Sequence, residues 1–345
     1  MSHTFASDNF AGVHPEIMMA IQKANVGHAM AYGADSWTER SNTIFKKIFG
    51  LAVESFIVFN GTAANVCSLR HLFSPWQAII CPSSAHIWMD ECGAPQANTG
   101  CSLLPVASKN GKIIPEQCEV FLHGRGSQHH VQPAAISITQ STELGTVYSI
   151  EEMKKLIQFA HKNDLLFHVD GARLCNAAAS LNVSLKALTT DLGVDVLSFG
   201  GTKNGLMGAE AIVFLKEGLS ENFQYIRKQS MQLASKMRFL SAQMVALLEG
   251  DLWLRNASHA NAMAKLLETS LRRHCPYLPI LYSVDANAVF VQLPSMRILE
   301  KLQKKSFFWI WDHEQVVARW MTSWDTEPSF VEAFIVELKK IIGSG

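Results

Sequence analysis

The chain has 345 residues, 48% hydrophobic and 17% charged, with Lys+Arg and Asp+Glu equal at 30 each. That balance leaves no excess of basic charge for nucleic acid or an anionic membrane, and the low charge fraction suits a chain with surface hidden in an oligomer. Seven cysteines without short paired spacings read as reduced thiols of a cytoplasmic protein, and with neither a leader-like start nor an apolar run of about 18 residues, secretion and a membrane span are not expected.

Residues 1–14 read as a polar arm. A helix is predicted from Pro15, whose fixed φ suits a first helical position, with Ile17, Ile21 and Ala24 on one face. Ser36 and Glu39 have capping-box spacing for a second helix that passes Ile44 and Ile48 and stops at Gly50. A strand over 53–59 runs into Asn60-Gly61-Thr62, the start of a helix toward Leu72 and a place where free backbone N–H groups suit a phosphate. A strand over 77–81 leads into the polar segment PSSAHIWMDECGAP. Weak signals continue to Leu122 and a loop follows, HGRGSQHHVQP. The strand over 134–139 ends in QSTELGT, and Ser149 with Glu152 starts a helix to about Lys162.

Two apolar runs come next. One starts at Leu165 and ends in Asp170; the other ends at the glycine-flanked Lys203. Strands alternating with helices predict an α/β fold, a large domain with a mostly parallel sheet flanked by helices. After a strand over 211–215 the pattern is helical from 218 to 274, read as two long helices with a turn near Gly250. Short strands over 289–293 and 316–321 alternate with helices over 295–304 and 328–342, which fits a small C-terminal α+β domain. The expected division is an arm, 1–14, a large domain, 15–248, and a small one, 249–345.

In open α/β sheets, ligands bind at the carboxyl ends of the strands, where Asp170 and Lys203 are both expected. An acid and an isolated lysine on a glycine loop are what pyridoxal phosphate chemistry needs: the lysine tethers the cofactor, and the acid keeps the pyridine nitrogen protonated. The other polar strand ends then acquire roles, with Gly61 and Thr62 at the phosphate, His86 on the pyridine face, and Arg173 at the phenolate or a substrate carboxylate. Neither P-loop nor GxGxxG occurs. Metal sets drawn from Cys81, His86, Asp90 and Cys92, or from His123, His129 and His130, lack the spacing of a zinc site, so no metal is expected.

HVDGAR (168–173), SFGGTKNG (198–205), ASDN (6–9), YGAD (32–35), NGTAAN (60–65) and AHIWMDECGAP (85–95) together resemble the low-specificity L-threonine aldolases. The likeness continues through SKMRFLSAQ (235–243) and VVARWMTSWDT (316–326), so it spans nearly the whole chain in order, and the lysine stands 33 positions after the acid. That family has the aspartate aminotransferase-like fold (type I) of pyridoxal phosphate enzymes and cleaves L-threonine or L-allo-threonine, as β-hydroxy-α-amino acids, to glycine and an aldehyde. The resemblance implies Lys203 as the Schiff-base lysine, Asp170 at the pyridine nitrogen and His86 stacked on the ring. Gly61, Thr62 and Thr202 would hold the phosphate, with Arg238 from a neighbouring subunit. Ser7, Arg173 and Arg319 would bind the substrate carboxylate, with Tyr32 lent by the partner of a homodimer or homotetramer. Where many members have Glu-Asn-Thr-His, this chain has Gln140-Ser141-Thr142-Glu143, and Ala6 replaces an arginine. The proton acceptor is therefore open among His86, Glu143 and a held water. A phenylserine aldolase or a β-eliminating lyase on the same scaffold is the alternative.

Overall fold

The computed structural model describes residues 4–343; the first three residues of the expected arm and the last two of the chain lie outside them. The large sheet contains β1 (Glu54–Val58), β2 (Gln77–Pro82), β3 (Ser102–Val106), β4 (Gln132–Thr139), β5 (Leu166–Gly171), β6 (Val196–Gly200) and β7 (Glu210–Phe214) in the order β1-β7-β6-β5-β4-β2-β3. Pairing is parallel from β6 through β5, β4 and β2 to β3, and β7 runs antiparallel to both β6 and β1. Every strand except β7 therefore points the same way. Their carboxyl ends, together with the amino end of β7, form one edge.

Helices cover both faces because the central strands are buried on both sides; every residue of β6 and β7 is buried. One core joins Phe45 and Phe49 of the helix Ser36–Phe49 to Ile136, Phe167, Leu197 and Phe199. The smaller sheet, in the order β8 (Ala288–Gln292), β10 (Val317–Met321), β9 (Trp309–Asp312), is antiparallel and packs a second core of Val289, Trp320, Phe308 and Phe334. The helix Leu252–His274 serves both, with Leu252 and Ala257 in the first core and Met263, Leu267 and Leu271 in the second.

Three local expectations are corrected. The helix at Ser36 is capped by Asp35, whose Oδ1 accepts the Thr38 N–H at 2.9 Å, so Ser36 is the first helical residue. The helical stretch after β7 is interrupted: Phe223–Gln229 packs Phe223 on Phe214, whereas Arg238–Leu248 lies against Pro15–Ala24 and Ser36–Phe49. Two sets of partners require a turn, and Met231 takes φ +61 within it. Strand β9 had no sequence signal, because this half-exposed edge strand lacks alternation and pairs across a bulge at Val317/Ala318. The expected polar arm is also less polar than it read, since Phe5 and Ala6 are fully buried and Phe5 packs tilted against Phe330 and edge-on to Phe334.

Candidate active site

The strand ends bring the expected residues to one edge. Asp170, near the end of β5, is buried; its Oδ1 accepts the Ala172 N–H at 3.0 Å and its Oδ2 accepts Asn65 Nδ2 at 2.8 Å. Asn65 sits one turn into the helix Gly61–Leu72, and the same amide nitrogen donates to Glu91 Oε1 at 2.8 Å. Glu91 in turn bonds His86 Nδ1 at 2.9 Å. Acid, amide, acid and imidazole form one hydrogen-bonded chain that fixes the half-buried His86 ring. The hydrogen bond His86 donates to Glu91 raises the His86 pKa against the effect of burial, while burial raises that of Glu91.

Among the described residues, ligand-type atoms of His86, Glu91 and Asp170 lie within 4.8 Å of one another. The Asn65 amide already donates to both acids there, so the acids' charge is met by N–H donors. Below Asp170 on the same strand, His168 is fully buried between the hydroxyls of Ser137, 2.8 Å from Nδ1, and Ser198, 3.0 Å from Nε2. Burial pushes it down to about 4, which keeps it neutral.

Lys203 follows β6 on the turn Thr202–Asn204, which ends at Gly205 with φ +103. A Cβ at Gly205 would meet Asn256 Nδ2 at 2.9 Å, so only glycine fits. Among the described residues the lysine amine has no hydrogen-bond or ion-pair partner. Burial, and then the charge of Arg173, lower its pKa toward the neutral, nucleophilic amine.

Arg173 meets Asp8 side-on, Nε to Oδ2 at 2.6 Å and Nη2 to Oδ1 at 2.9 Å. Burial alone would raise Asp8, but Arg173 outweighs it and holds the carboxyl below its usual range; Asn287 Nδ2 adds a bond at 3.1 Å. Asp8 takes Nε and Nη2, so of the Arg173 nitrogens the one Asp8 leaves for the expected ligand carboxylate is Nη1. Arg319, on β10, donates from Nη2 to the Ala6 carbonyl at 3.3 Å and leaves its buried Nε without a partner. Burial, and then Arg173, push it down to about 10. Two guanidiniums that repel each other around one carboxylate leave room for a second anion.

Glu143 reaches the same edge from the loop after β4. Its Oε1 accepts the His86 N–H at 2.8 Å and the Thr139 hydroxyl at 2.6 Å, while the buried Oε2 has no partner among the described residues. Burial pushes the carboxyl up to about 7. At the helix start, Asn60 Oδ1 takes the Ala63 N–H at 2.9 Å, leaving the Gly61 and Thr62 N–H groups for a ligand. Ser7 caps the 3-10 turn Asp8–Phe10, which packs on the Lys203 turn.

Tyr32 and Arg238 belong to another patch of the same chain. Arg238 Nη1 donates to the Gly27 carbonyl at 3.0 Å, and the 52% exposed Tyr32 receives Lys228 over its ring at 5.2 Å. Neither cysteine and histidine set considered for a metal is gathered among the described residues. Asn65, Glu91, Asn287 and Glu210 were not identified in the sequence as site residues, nor was Asp8 as the partner of Arg173. For Asn65 the available signal was its place one turn past the expected phosphate-binding helix start; for Asn287 there was none.

The profile of the beta-eliminating lyase family matches residues 4–294. The chain is 43% identical to a low specificity L-threonine aldolase of a Pseudomonas species, over 99% of both chains, and 41% identical to that of Pseudomonas aeruginosa, over 99% of this chain and 98% of the other. A threonine aldolase structure from Leishmania major superposes with a TM-score of 0.92 at 26% identity, covering 99% of each chain.

Proposed function

The chain belongs to the beta-eliminating lyase family, and from that membership and its full-length relatives we propose a carbon–carbon lyase that cleaves L-threonine to glycine and acetaldehyde, with pyridoxal 5'-phosphate as cofactor. The observation that carries this reading is the meeting of a half-buried lysine without a partner among the described residues, a buried acid and two arginines at one sheet edge.

The donor set fits that cofactor. Gly61 and Thr62 N–H groups, with the Thr202 hydroxyl, suit its phosphate, Asp170 its pyridine nitrogen, His86 its ring face and Lys203 its aldehyde carbon. When bound, pyridoxal phosphate supplies an electron sink for the pair released from the Cα–Cβ bond. The residues do the rest. Asp170 holds a proton at the pyridine nitrogen, and Arg173 Nη1, Arg319 Nε and Ser7 grip the substrate carboxylate. That grip orients the scissile bond perpendicular to the ring. Glu143 accepts the β-hydroxyl proton at Oε2. His86 is the weaker candidate because Glu91 occupies its Nδ1 and favours its charged form.

Tyr32 and Arg238 serve a neighbouring subunit's site in a homodimer or homotetramer. In support, Val26 (79%), Met30 (73%) and Met231 (81%) are exposed around them. The seven cysteines are unpaired and six are buried, which supports the cytoplasm as its compartment. The two cores support the division into large and small domains, with the break at 248 falling just before the helix they share. The family's description keeps β-elimination as a second reading.

The deciding experiment measures aldehyde and glycine from L-threonine, L-allo-threonine and phenylserine in parallel, and pyruvate from serine-type substrates. Equimolar glycine and aldehyde are expected. A protein that stays colourless with added pyridoxal phosphate, or a Lys203→Ala variant that keeps the visible absorption, defeats the reading.

A further inference from the structure

Glu210 is a buried acid to which the reaction above gives no role. It opens β7, and because β7 runs against its neighbours, this first residue lies at the edge where the other strands end. Register pairs it with Gly200 on one side and Val58 on the other. It therefore stands between the strand that leads to Lys203 and the strand that leads to Gly61.

Its Oε2 accepts the Gly201 N–H at 2.7 Å, and the neighbouring Thr202 favours its charged form. The backbone it holds has no slack. A Cβ on Gly200 would stand 2.4 Å from the Ala172 carbonyl oxygen, and one on Gly201 would stand 2.4 Å from Leu206 Cδ1 and 2.8 Å from the Ala209 oxygen. A carboxylate bonded to so confined a turn fixes where the next residue, Lys203, begins.

The titratable groups that face Glu210 are Lys203 from the turn and Cys175 from the helix Leu174–Leu181. From β1 and β6 the paired residues are Val58 and Gly200, which carry no charge. Burial pushes Cys175 up to about 12, so it stays a neutral thiol and Lys203 is the charge to which Glu210 responds.

We propose that Glu210 is a positioning residue for Lys203: its carboxylate anchors the Gly201 backbone and adds negative charge beside the lysine nitrogen, which Arg173, Asp8 and Asp170 also face. This rests on the reading that Lys203 carries the cofactor. Burial pushes Glu210 up to about 7. A positive nitrogen at Lys203 favours the carboxylate form of Glu210 and a neutral one favours the acid.

The test uses holoenzyme loaded with pyridoxal phosphate and follows its visible absorption against pH beside kcat and KM. Glu210→Gln keeps an acceptor for Gly201 and removes the charge; Glu210→Asp keeps the charge and draws it back. Without the anion, the protonated nitrogen loses support, so in Glu210→Gln the spectral transition should move to lower pH by about one unit, with kcat down about 10-fold at unchanged KM. Glu210→Asp should shift the transition the same way by less, and it carries the test if Glu210→Gln does not fold. An unmoved transition, or a fall in melting temperature alone, overturns the proposal. Wild-type protein without a visible band or glycine formation defeats the earlier reading instead, and a working wild type with an unmoved variant defeats only this one.

Discussion

The two ends of the parallel sheet both bury acids, and they treat them differently. At the amino end, Asp195, just before β6, is 2% exposed and fully engaged. Its Oδ2 accepts the Phe167 N–H at 2.8 Å and His161 Nε2 at 2.9 Å, and Lys216 Nζ lies 3.7 Å from Oδ1. At the carboxyl end, Glu143 Oε2 and Arg319 Nε are buried without partners among the described residues, and the half-buried Lys203 has no partner there for its amine. A satisfied buried charge ties strands together. An unsatisfied one costs stability and is retained where a ligand completes it.

The contrast can be broken in four places. Lys203→Ala should have the largest effect, lowering turnover by about 10³-fold or more while the fold persists, since it removes an amine that nothing among the described residues pairs; steady-state aldehyde release and circular dichroism check both halves. Next is Glu143→Gln, which should reduce kcat by about 10²-fold or more. In the wild type the base must be ionised, so kcat should rise as pH passes upward through about 7, and that limb should vanish in the variant.

The same group sets a stability slope. Its folded pKa, about 7, lies above the ordinary 4.5, so between those values the native state binds more protons than the unfolded one. Stability from this carboxyl is therefore present at low pH, falls as pH rises from 4.5 toward 7 and levels off beyond it. Glu143→Gln should flatten that slope in denaturant midpoints taken across the range. A wild type that gains stability over this window in comparison with the variant contradicts the assignment.

Arg319→Lys should come third, raising the threonine KM by about 10- to 100-fold, the loss of one charged hydrogen bond, with a smaller change in kcat. Asp195→Ala should leave KM and kcat nearly unchanged and lower unfolding free energy by about 1–3 kcal/mol, because it orphans the Phe167 N–H. If it instead changed KM as much as Arg319→Lys, the separation between a structural end and a chemical end would be lost.

Much of the site was legible because its signals are local. A strand period that stops in an acid, a glycine-flanked lysine, an Asn-Gly-Thr helix start and the Ser149 box each depend on neighbours in sequence, and each expected element formed where they stand. Local signals also erred locally: Asp35 displaced Ser36 as the cap, and helical periodicity ran through a break at 230–237 that two different packing partners impose.

What the sequence determined by itself was the pair Asp170 and Lys203 at strand ends, the helix start before them and Arg173 three residues after the acid; Arg319 was expected only from the family resemblance. Tertiary structure alone decided which atoms remain free for chemistry. Asp8 occupies one side of Arg173 across 165 residues, Asn65 joins Glu91 to an acid 105 residues away, and antiparallel β7 carries Glu210 under the lysine turn. A side chain's partner is set by strand order and register, which are fixed by contacts far apart in the chain and leave no mark on the residues beside it.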